Sequence, residues 1–119
     1  MRGWVLTTLF DPSETLGLIE KEPATCLYGF DTHWSELAIL QTSENRGLSS
    51  LRPGMLASNM ATSEAVARRA QKLIRLIITT WGMTECGIPL NFFLYSSENE
   101  RCASFGSPLP VYEFEMINS

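Results

Sequence analysis

The residues best able to do acid–base chemistry gather around His33, the single histidine of the 119-residue chain. Imidazole is the one side chain whose ordinary pKa lies near neutrality, and Asp31 and Glu36 stand close enough in sequence to orient its ring. Cys26, Cys86 and Cys102 are the thiols that such a base would activate as nucleophiles. Nothing in the spacing joins a thiol or a carboxylate to His33, and catalysis needs nucleophile, base and orienting group within mutual reach. A lone histidine between Thr32 and Trp34 reads first as a surface or loop residue. The preferred reading is therefore a chain that is not an enzyme; a small intracellular enzyme using His33 with a cysteine or carboxylate partner is the alternative.

Other patterns point the same way. The sequence contains no G-x-G-x-x-G, no G-x-x-x-x-G-K-[ST] and no G-x-S-x-G, so dinucleotide, phosphate-loop and nucleophile-elbow chemistry have no support. One histidine and three cysteines without C-x-x-C spacing make neither a zinc site nor a redox pair. Glu113 and Glu115 share a strand face, but alternation with Tyr112, Phe114 and Met116 is what an amphipathic strand requires. No cofactor and no metal are expected.

Composition sets the class. With 45% hydrophobic and 18% charged residues, the expectation is one soluble globular domain over residues 1–119. A net charge of −4 argues against nucleic acid as a partner, because such binding rests on a positive surface. The apolar run from Trp4 to Phe10 is interrupted by Thr7 and Thr8 and stops at Asp11-Pro12, which suits neither a signal peptide nor a membrane span. Unpaired thiols place the chain in the cytosol, cytoplasmic or nuclear.

The elements are organised around residues 62–81. Val66, Ala70, Leu73, Ile74, Ile77, Ile78 and Trp81 recur at steps of three and four, which predicts one long amphipathic helix with Thr62 as N-cap and Gly82 as its stop. Its other face carries Glu64, Arg68, Gln71, Lys72, Arg75 and Thr79. Before it, Gly3–Phe10 and Thr15–Lys21 read as a strand hairpin and Thr25–Phe30 as a third strand. Asp31–Ser43 fits either a short helix with Trp34, Leu37, Ala38 and Gln41 on one face or a buried strand over 37–40; the strand is preferred. Leu48–Leu51 and Met55-Leu56, with Pro53-Gly54 intervening, read as an irregular edge strand leading towards the helix. After the helix, Met83–Gly87 is a loop, Leu90–Tyr95 a central strand, Cys102–Phe105 a brief strand, and Val111–Met116 a strand with Tyr112, Phe114 and Met116 towards the core. The fold class expected is α+β: a mostly antiparallel sheet packed against one long helix in two layers.

Binding is then the remaining class of function. Trp34 and Tyr95 are aromatic anchors of the kind enriched at interfaces, and Arg68, Arg69, Lys72 and Arg75 form a basic helix face that would meet an acidic client. The stretch Ser58-Asn59-Met60-Ala61-Thr62-Ser63, the helix with Ala67, Arg68, Arg69, Ala70 and Lys72, and the strand Phe92-Phe93-Leu94-Tyr95-Ser96 resemble the third and fourth small proteasome assembly chaperones. That resemblance implies a non-catalytic chaperone or adaptor that pairs, as a homodimer or heterodimer, with a homologous small subunit and scaffolds proteasome α-subunits, with no membrane partner. The core reading has a direct test. Ile74→Asp or Ile77→Asp places an unpaired carboxylate in the interior and should lower unfolding free energy by roughly 3–5 kcal/mol, measured by urea denaturation.

Overall fold

Asp11 and Pro12 start a helix. The Asp11 carboxylate accepts the Glu14 amide at 2.7 Å, Pro12 occupies the first turn, and Leu16 and Ile19 bury the inner face of α1, Pro12–Lys21. An aspartate N-cap followed by proline at N1 is a helix start as well as a turn signal, so the hairpin expected over residues 3–21 is not formed. Trp4, Leu6 and Leu9 of the preceding segment are exposed and belong to no strand. The structure, a computed structural model, describes residues 3–57, 63–91 and 96–117.

The next elements are β1 (Leu27–Phe30), α2 (Asp31–Glu44) and β2 (Pro53–Ala57). The 31–43 stretch is helical, which corrects the strand preference. Trp34, Leu37 and Ala38 are buried at helical spacing, and Asn45 closes α2 in the left-handed conformation with φ 49°. β2 is not an edge strand. It lies between β1 and the following strand, and Pro53 is tolerated because it is the first residue of the strand.

The expected helix over 62–81 divides in two. α3 covers Ser63–Ala70, and after a turn the chain runs as β3, Leu76–Met83. Leu76-Ile77-Ile78-Thr79-Thr80 is dominated by β-branched residues, which favour strand. An apolar run buried on both faces matches helical spacing by accident, and Ile77, Ile78, Thr79 and Thr80 are all buried. Gln71 fixes the junction: its amide nitrogen donates to the Ile77 carbonyl at 2.9 Å and its oxygen accepts the Ile77 N–H at 3.2 Å.

The remaining elements are β4 (Gly87–Asn91), α4 (Glu98–Ala103) and β5 (Ser107–Pro108). The brief strand expected at 102–105 is not formed; Cys102 and Ala103 are the last two residues of α4, and Ser104 and Phe105 lie between α4 and β5. Ser97 and Glu100 make a reciprocal capping box at the start of α4, and the Ser97 contacts hold the Glu100 carboxyl below its usual pKa. The alternating segment 111–116 is not a strand. It has no partner to pair with among the described residues, and Phe114 and Met116 are exposed. Phe92–Tyr95 of the other expected strand lie outside the described residues.

Among the described residues the sheet has five strands in the order β1-β2-β3-β4-β5. β1, β2 and β3 are parallel, with Gly54 opposite both Leu27 and Ile77, while β3–β4 and β4–β5 are antiparallel. The fold is α+β as expected, but the sheet is mixed and is served by four described helices. Two βα crossovers carry the chain between parallel strands, as such strands require. The core unites Trp34 of α2, Leu56 of β2, Ala67 and Ala70 of α3, Ile74, Ile77 of β3 and Cys102 of α4. At Gly54 side chains of α2, of the connection before β3 and of β3 close directly onto the backbone of β2. A Cβ there would lie 2.6 Å from Trp34 Cη2, 2.6 Å from Ile74 Cδ1 and 2.7 Å from Ile77 Cδ1. Gly54→Ala should therefore cost roughly 1–3 kcal/mol by overpacking, read as a lower denaturation midpoint with unchanged slope.

Candidate functional site

Parallel register fixes one edge of the molecule. Phe30 pairs with Ala57, and Ala57 with Thr80, so the carboxyl ends of β1 and β2 are level with Thr80. β3 continues through Trp81, Gly82 and Met83, roughly 10 Å further at the rise of a strand. It then turns back into β4, so the β3–β4 turn projects past the carboxyl edge. In open α/β sheets ligands bind outside the carboxyl ends of the strands, and this edge is the candidate site.

The turn is tightly built. The Cys86 N–H donates to the Met83 carbonyl at 3.2 Å, leaving Thr84 and Glu85 at the two central positions with exposed side chains. Gly87 comes next at φ 69°, the left-handed glycine that closes a three-residue hairpin loop. Gly82 is needed for another reason: a Cβ there would stand 2.2 Å from the Gly87 carbonyl oxygen. Below the turn, the Thr80 hydroxyl donates to the Leu90 carbonyl at 2.9 Å, and above it the Tyr112 phenol donates to the Cys86 carbonyl at 2.8 Å.

His33 lies at the same edge, in the first turn of α2. Its Nδ1 accepts the Phe30 N–H at 3.2 Å, and its ring packs against Phe10 and Phe30, with centroids 4.4 and 5.7 Å away. These contacts make it a helix-capping residue. Asp31 is buried and its Oδ1 accepts the Thr32 N–H at 2.9 Å. Burial pushes the Cys102 thiol up, away from the thiolate that nucleophilic chemistry needs.

The residues expected to bind a partner do not form one surface. Trp34 is fully buried and its indole N–H donates to the Met55 carbonyl at 3.1 Å, so it is a core residue. Arg68 is engaged by Glu64 at 2.7 Å and by Asn99 at 2.8 Å; the Glu64 hydrogen bond raises its pKa. Arg69 reaches the Ser35 hydroxyl at 3.4 Å. Lys72 and Arg75 are exposed and fall beyond the end of α3. They border an open groove of about 530 Å³ beside the last turn of α2. Tyr95 lies outside the described residues. Thr84 and Glu85 are not among the expected site residues, although Gly82 and Gly87 around Met83-Thr84-Glu85-Cys86, after a β-branched run, are a hairpin signal.

An exposed carboxylate and hydroxyl on a pinned turn at this edge suit a polar ligand held against the sheet. Among the described residues no three histidine, cysteine, aspartate or glutamate side chains come together as a metal site. A cation bound at Glu85 would have to take its other ligands from a substrate and water, as magnesium does with phosphates.

The fold is an α+β domain in which the parallel strands β1 and β2 end level with Thr80 of β3. Residues 4–119 match the protein-family model described as AMP-binding enzyme, and the chain belongs to that family. It is 29% identical over 85 residues to a 4-chlorobenzoate–CoA ligase of an Arthrobacter species, an alignment covering 69% of this chain and 16% of that protein. Among solved structures it is similar to the anthranilate CoA ligase AuaEII in complex with anthranoyl-AMP, with TM-score 0.74, 25% identity, and 90% of this chain on 20% of that one. It is also similar to the amide bond synthetase McbA from Marinactinospora thermotolerans, with TM-score 0.70, 23% identity, and 85% of this chain on 21% of that one. The chain thus spans about a sixth of the curated relative's length.

These findings overturn the chaperone reading. Membership of a family of AMP-binding enzymes replaces the non-enzymatic adaptor, and with it the proteasome α-subunits and the paired small chaperone as partners. The resemblance rested on a hydroxyl-rich stretch, an Ala/Arg helix and the aromatic run Phe92–Ser96; the first two are what N-capping and helix propensity select in any fold. Its long helix is in fact α3 followed by β3. The geometry of the edge predicts that Gly82→Ala forces the hairpin open, because backbone atoms cannot withdraw as a flexible side chain can. The expected loss is roughly 1–3 kcal/mol, with faster amide hydrogen exchange over residues 83–88.

Proposed function

We propose that this chain is part of an ATP-dependent adenylate-forming ligase and contributes the strand edge and turn that face the nucleotide. The observation that carries this reading is the Thr84-Glu85 turn, projecting past the carboxyl ends of the parallel strands β1 and β2, in a chain of the AMP-binding family. The named relatives are a 4-chlorobenzoate–CoA ligase and a ligase holding anthranoyl-AMP. A carboxylic acid, in its aryl or acyl form, is accordingly the substrate class.

In the first step a substrate carboxylate oxygen attacks the α-phosphorus of ATP. A new P–O bond forms, the bond to the bridging oxygen breaks, and pyrophosphate leaves with the electron pair. The resulting acyl-AMP is then open to a thiol, as in a CoA ligase, or an amine, as in an amide synthetase, with AMP departing. Within this reaction Glu85 would hold a divalent cation, which would neutralise phosphate charge, and Thr84 would offer a hydroxyl to a phosphate oxygen. Glycine contacts at 82 and 87 keep both groups at fixed positions, which matters because small misplacements of a binding group are costly in rate.

The test is carboxylate-dependent exchange of labelled pyrophosphate into ATP by the native polypeptide that carries this sequence. Exchange with an aryl or acyl carboxylate is expected. Glu85→Gln should lower kcat/KM for magnesium–ATP by roughly 10–100-fold, the scale for losing one supporting group of a bound metal. Exchange that survives Glu85→Gln at the wild-type rate would remove the turn from the nucleotide site, and no exchange with any carboxylate would remove the reaction.

A further inference from the structure

The carbonyl of Cys86 is the last backbone group of the projecting turn, and it is held by a residue 26 positions later, with Tyr112 Oη donating at 2.8 Å. We propose that Tyr112 is a positioning residue for the Thr84-Glu85 turn and so tunes nucleotide affinity; the second half of this inference rests on the function proposed above.

The chain delivers the phenol to the turn by a defined route. β5 pairs with β4 through Leu90 opposite Pro108 and Asn91 opposite Ser107. The ladder is extended towards the turn by the Leu109 N–H, which donates to the Pro89 carbonyl at 2.9 Å. The Tyr112 N–H then donates to the Leu109 carbonyl at 2.9 Å, closing a turn that contains Pro110. Pro108 and Pro110 restrict the backbone on both sides of Leu109, so little freedom remains to be lost when the phenol docks.

The consequence falls on Glu85. Cys86 is gripped on both sides, its N–H by the Met83 carbonyl and its C=O by Tyr112. With Gly87 at φ 69° next to it, this peptide unit would otherwise have glycine's freedom to rotate. Rotation of the 86–87 peptide would swing the Met83–Cys86 turn and carry Glu85 away from its place. Tyr112 is itself half-buried, and its hydroxyl lies 3.8 Å from where a Gly87 Cβ would stand, so the ring also limits the space into which the turn could relax.

Tyr112→Phe retains the ring and removes only the donor. In the native polypeptide it should accelerate amide exchange at Glu85, Cys86 and Gly87 by about tenfold, the equivalent of one net hydrogen bond, and leave the midpoint of global unfolding within a degree or two. It should raise KM for magnesium–ATP about three- to tenfold while KM for the carboxylate stays unchanged. Val111→Ala, at an exposed neighbour, should change neither readout. Unchanged exchange at residues 85–87 in Tyr112→Phe would overturn the inference. Faster exchange with an unchanged KM for magnesium–ATP would also overturn the positioning role. In that case Glu85→Gln separates the two levels: if it still impairs ATP use, only the Tyr112 inference fails, and if it is silent too, the nucleotide reading of the turn fails with it.

Discussion

Both backbone groups of Ile77 are satisfied by side chains, and the rest of the molecule is arranged around that fact. The Gln71 amide bonds its N–H and its C=O, and Arg101 Nε donates to the same carbonyl at 3.1 Å. Gln71, Ile77 and Arg101 are all buried, where an unsatisfied amide or carbonyl costs about 1–3 kcal/mol. Among the described residues β4 pairs with β3 only at Trp81 and Met83. The side chains of Gln71 and Arg101 thus serve the start of a strand whose far end is served by its neighbour.

That arrangement explains where the helix stops. Gln71 lies one residue after α3 and reaches forward six residues, which folds the connection between α3 and β3 into a single compact turn. A continuing helix would carry Ile77 away from Gln71 and expose the strand backbone. Arg101 links the same point to α4, whose capping box at Ser97 and Glu100 fixes the start of that helix. The Ser96 carbonyl accepts from the guanidinium as well. Burying a guanidinium is normally costly. Here its donors are spread over the Ile77 and Ser96 carbonyls and the Gln71 amide oxygen.

Burial is far more legible in the sequence than element type. Leu37, Ala70, Ile74 and Ile77 are buried, and each stands out in the sequence as apolar and patterned, whereas Trp34, expected to face a partner, is buried and Phe114 and Met116, expected in the core, are exposed. Yet Ile74, Ile77, Ile78 and Trp81 fit the period of a helix because a strand buried on both faces is apolar throughout and satisfies any period. Asp11-Pro12 and Ser97 to Glu100 read as turns because N-caps and turns draw on the same residues. The decisive contact of Gln71 with Ile77 is a long polar side chain turned inward, and nothing local distinguishes it from the solvated residues beside it. The site escapes sequence reading for a related reason. The proposed site rests on one threonine and one glutamate rather than a histidine or a thiol, and in the sequence only the two glycines that shape their turn make them notable.

Those glycines show how the core and the edge are one construction. Gly54 lets Trp34 and Ile77 close over β2, which seats α2 against the parallel strands and fixes their register. The register brings the described ends of β1 and β2 level with Thr80, and β3 runs three residues further. Among the described residues those three have no parallel partner, and the returning strand β4 supplies their rigidity. Gly82 meets that need by letting the Gly87 carbonyl approach to a distance no side chain would permit, and Thr80 adds a hydroxyl bond to Leu90. The position of Glu85 is therefore determined by packing against Trp34 at one end of the sheet and by backbone contact between two glycines at the other.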